Sequence, residues 1–73
     1  MSLQDDVADR LAQAVLELVE ETGDEDIVED VKKVIGTSST TLEEAYMTAV
    51  RVRRAEGRAL ALLAQRRGTT PPG

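Results

Sequence analysis

TLEEAYMTAVRVRRAEGRALALLAQRR, residues 41–67, is the longest run of the chain free of proline and turn clusters, and its reading decides the fold. Ala, Leu, Glu, Arg, Met and Gln, all strong helix formers, supply most of it. Gly57 is its one weak point; a glycine in a helix interior costs about 1 kcal/mol relative to alanine and need not end the helix. Upstream, Thr40 with Glu43 and Thr41 with Glu44 both match the capping box that opens a helix. The stretch predicts one helix about 40 Å long at about 1.5 Å per residue.

Working outward, the polar run Thr37-Ser38-Ser39-Thr40 reads as a loop, and Gly36 before it ends a shorter helix over 26–35. That helix takes Asp24 or Asp26 as its cap and turns Ile27, Val28, Val31, Val34 and Ile35 to one side. A first helix over 3–22 starts at Ser2, carries Asp5 and Asp6 in its first turn and stops at Gly23. Leu3, Val7, Leu11, Ala14, Val15 and Leu18 form its main apolar stripe, widened by Ala8, Ala12, Val19 and Leu16, so two neighbours are expected to cover it.

The fold class is therefore all-α: a single small helical bundle over residues 1–67, followed by a disordered tail over 68–73. A core built on 73 residues rarely supplies more than about 3–5 kcal/mol. The chain contains neither cysteine nor histidine, so disulfides and the usual structural metal sites are closed to it, and association is the remaining source of stability. The third helix is too long for its two partners, and its end, with Ala59, Leu60, Ala61, Leu62, Leu63 and Ala64, is expected to overhang and expose apolar surface. Completion of the bundle by a homodimer follows as the expectation.

Charge is divided along the chain. Residues 1–50 hold thirteen acids against Arg10, Lys32 and Lys33, a balance of −10, whereas residues 51–73 set six arginines against Glu56, a balance of +5. On a helical wheel Leu42, Ala45, Tyr46, Ala49, Leu60, Leu63 and Ala64 form the inward face of the third helix. Arg53 and Glu56 interrupt that face, placed either to pair with each other or to reach charges elsewhere. Arg53, Glu56, Leu60 and Leu63 are the expected self-association residues. The opposite side carries Met47, Arg51, Arg54, Arg58 and Leu62, a basic stripe with apolar ends expected to bind another protein.

Other function classes find less in the sequence. Without His or Cys the commonest general base and nucleophile are missing, and the acids of residues 17–30 suit solubility and helix dipoles better than catalysis, so no enzyme, metal or cofactor is expected. Asp24 to Glu29 puts Val28 where a calcium loop needs an oxygen ligand. Residues 26–55 form a degenerate helix-turn-helix, the alternative reading being a nucleic-acid-associated regulator. Glu43 and Glu44 would then sit where phosphates lie, and no aromatic accompanies the arginines. No run is apolar enough to span a membrane and no leader is apparent, so the expectation is a cytoplasmic, non-catalytic interaction or regulatory module.

Overall fold

The computed structural model describes residues 2–69, and these are all-α: α1 spans Leu3–Thr22, α2 Asp26–Gly36 and α3 Thr40–Thr69. Ser2 caps α1, its hydroxyl accepting the Asp5 amide at 3.1 Å. Gly23 ends that helix with φ of 75°, a left-handed conformation that glycine adopts at no steric cost, and donates its amide to the Val19 carbonyl at 2.6 Å. The cap position of α2 is Glu25, not the expected Asp24 or Asp26, and its side chain makes no cap bond; the Asp24 carboxylate beside it accepts the Asp26 amide at 3.0 Å.

The turn into α3 departs from expectation. Ser39, rather than Thr40 or Thr41, is the cap: its hydroxyl accepts the Leu42 amide at 3.1 Å and its carbonyl the Glu43 amide at 3.0 Å. The cause is a tight connection in which the Ser38 and Ser39 amides both return to the Ile35 carbonyl, bringing the helical start forward. Gly36 belongs to α2, and the end of the flexible Glu43 side chain lies over the side where a Cβ would stand. At its other end α3 continues through Gly68 and Thr69, two residues into the expected tail; residues 70–73 lie outside the described residues.

α3 is the spine of the bundle, packing chiefly along α1 and less along α2, which touch each other least. Tyr46 reaches Val28 and Arg54 reaches Glu25, so α2 and α3 run antiparallel. The core is thin: Ala8, Ala12, Val15, Val19, Val28, Tyr46 and Val50. Tyr46 is its largest fully buried side chain, and its hydroxyl donates to the Val28 carbonyl at 3.0 Å, satisfying the polar end of the ring. Burial, reinforced by the charge of Glu29 and opposed by Arg54, raises the Tyr46 phenol above its ordinary pKa.

The buried side of α1 is rotated from the expected stripe. Leu3 is 76% exposed and Leu18 44%, while Ala8 and Ala12 are buried. Small alanines let α3 approach closely, and that approach decides which flank turns inward. On α3, Leu42, Ala45, Tyr46 and Ala49 face the core as expected, joined by Val50, but Leu60, Leu63 and Ala64 lie beyond the bundle and are exposed. The radius of gyration of 15.3 Å, against about 11 Å for a compact domain of this length, records that overhang.

Candidate interaction surface on the third helix

The bundle half of α3 is fastened by two arginines. Arg53 forms a two-point contact with Asp9 of α1, Nε to Oδ1 at 2.6 Å and Nη2 to Oδ2 at 2.7 Å, the geometry in which guanidinium and carboxylate pair most strongly. The expected alternatives for Arg53 thus resolve toward another element, and its hydrogen bonds go to Asp9 rather than Glu56. The Arg53 hydrogen bond holds the Asp9 carboxyl below its ordinary pKa, and the same bond raises that of Arg53. Next to it, Arg54 Nη2 lies 2.6 Å from Glu25 Oε1 at the α1–α2 turn.

The expected basic stripe therefore divides. Arg54 turns toward α2 and is half-buried, and Met47 packs against the core instead of standing free, because at 100° per residue positions 54 and 47 lie only about 40° and 60° round from the buried Val50. Arg51 is exposed, beside Glu43 and Glu44 in a shallow groove that Lys32, Met47 and Thr48 complete. Arg58 and Leu62 are exposed as well, Leu62 by 50%. Arg51, Arg58 and Leu62, spaced by seven and four residues, are what remains of the stripe as an outward line.

The self-association residues divide too. Arg53 is engaged with Asp9, whereas Glu56, Leu60 and Leu63 are open to solvent, the two leucines by 57% and 53%. Glu56 and Gly57 border a groove whose α1 wall is Gln13, Leu16, Glu17 and Glu20. A Cβ on Gly57 would meet nothing within 4 Å, so nothing in this chain uses the room the glycine leaves. Sequence reading missed Val52, 61% exposed on the same flank as Leu63, and missed Asp9 and Glu25 as arginine partners. The excess of acid before residue 50 and of arginine after it was the available signal, but it names no pairs.

Among the described residues, no three acidic side chains converge closely enough to hold a metal ion, and no helix is long and apolar enough to cross a membrane. Comparison with protein-family models, curated protein sequences and solved structures finds no match for this chain.

Proposed function

We propose that the protein is a small non-catalytic interaction module that self-associates and binds a second protein through α3. The observation that carries this reading is the overhang itself. A thirty-residue helix leaves Leu60, Leu62 and Leu63 each at least half exposed, beyond any cover from α1 or α2. Soluble domains rarely leave such patches without use. Two sides of the overhang are distinct: Leu60 and Leu63 face one way, whereas Leu62 continues the line of Arg58 and Arg51. The first suits a self-interface, and the second an acidic surface with an apolar pocket, such as a groove that accepts one face of a helix. A regulatory role in the cytoplasm is consistent with this reading.

Absolute mass by light scattering after size exclusion, over a concentration series at low and high salt, tests self-association. A dimer persisting in high salt is expected, and a monomer throughout overturns it. For the second protein, a photo-crosslinker at Leu62 should capture one discrete partner from the native cell. The R51E/R58E variant should lose that band, and equal capture by both forms overturns the assignment.

A further inference from the structure

Resting on the self-association reading, we infer that the occupant of the α3 overhang is the overhang of a second copy, laid antiparallel about a two-fold axis between Ala61 and Leu62. Glu56, Leu60, Leu63 and Arg67 recur at spacings of four, three and four and fall within about 60° of arc on one side of α3. All four are exposed in the single chain. The pattern is its own complement when read backwards. Antiparallel pairing about that axis sets Leu60 against Leu63 of the other copy and Glu56 against its Arg67, each contact occurring twice, as an isologous interface requires. Parallel pairing would instead set Glu56 against Glu56 and Arg67 against Arg67, opposing like charges at both ends of the leucines.

The surroundings of Glu56 favour the same arrangement. The groove at Gly57 is bordered by Glu17 and Glu20 as well as Glu56, and its floor beside the glycine is open. The antiparallel register brings Arg67 of the second copy to that groove, where three carboxylates meet one guanidinium. The side that mates continues, past residue 56, the side on which Leu42, Ala45 and Ala49 meet the core, and it uses no residue that is buried in the single chain, so the pairing extends the bundle without disturbing its core.

Reciprocal charge exchange and paired spin labels test the geometry together. E56R and R67E should each weaken dimerisation on the order of tenfold, and E56R/R67E should restore it, because the exchanged charges again face each other. Both positions are exposed, so each variant should keep the circular dichroism of the parent chain. The chain has no cysteine, so a single T48C or A61C gives one label per copy. Antiparallel pairing places labels at residue 48 about 40 Å apart along the helix and those at residue 61 within about 20 Å. Short distances at both positions, or a double exchange that fails to restore a dimer, overturn the antiparallel register while leaving self-association standing. A monomer at every concentration overturns both.

Discussion

The two halves of α3 carry equal numbers of arginines and have opposite fates. Residues 42–54 turn Tyr46 and Val50 into the core, pack Met47 and Ala49 against it, and tie Arg53 to Asp9 and Arg54 to Glu25. Residues 57–69 carry three leucines to the first half's one and the same number of arginines, yet those leucines are exposed because, among the described residues, no other helix covers them. The first half is the wall of a folded unit, and the second leaves its apolar side chains in solvent. One helix thus carries a covered apolar side before Gly57 and, in the same directions after it, an uncovered one.

The comparison breaks most visibly at Tyr46. Y46A removes the largest buried side chain from a core of seven buried residues, and truncating a buried aromatic costs about 3–5 kcal/mol, equal to all the stability such a small core supplies. The expected outcome is loss of cooperative thermal unfolding and of helical circular dichroism at dilute concentration. The corresponding change in the overhang should do the reverse. L60Q/L63Q should leave the melting of the dilute chain within about 0.5 kcal/mol, since both side chains already face water and Gln has a helix propensity close to that of Leu. Dimerisation of that variant should weaken on the order of a hundredfold, read from the concentration dependence of the scattered mass.

The contrast between the halves also explains what was legible. The ends of α1 and the turn into α2 lay open in local chemistry: Ser2, Gly23 and Asp24 act through bonds to residues two to four positions away, whereas the start of α3 at Ser39 depends on how the turn returns to Ile35. The facing of α3 did not. A wheel drawn over the whole helix sets Leu60, Leu63 and Ala64 in the same directions as Leu42, Ala45 and Tyr46, so it does not tell the covered half from the uncovered one, and it leaves out Val50, which is only 3% exposed. Two superposed apolar faces look like one. The rotation of α1 was hidden for a related reason, since Ala8 and Ala12 seem minor beside Leu3 and Leu18 until a neighbouring helix requires a close approach. The arginine pairings bridge 44 and 29 residues of sequence, and only the packed bundle selects Asp9 and Glu25 from thirteen acids that precede residue 50.

Gly57 sharpens the comparison at the junction. G57A introduces a methyl group with nothing within 4 Å and improves helix propensity by about 1 kcal/mol, so the dilute chain should melt at a higher temperature. An unchanged or lower melting temperature would mean that the two halves of α3 are not one continuous helix in solution.

The smallest effect concerns the pair that binds the first half of α3 to α1, and its sign follows from the direction in which Asp9 is shifted. The Arg53 hydrogen bond lowers the carboxyl pKa in the folded protein, so the unfolded chain binds the proton more readily. The stabilisation is complete above the ordinary Asp range near pH 4 and is lost as pH falls through the lower folded value. Asp9 is half-exposed at the surface, so the contribution is modest and screened by salt. Melting temperature should therefore fall on acidification below about pH 4, and D9N should lose part of that slope while starting from a lower value at pH 7. Because the overhang has no part in this pair, the same acid titration should leave the circular dichroism of L60Q/L63Q indistinguishable from that of the parent chain when both are dilute. A difference between them would show that residues 57–69 contribute to the folded monomer after all.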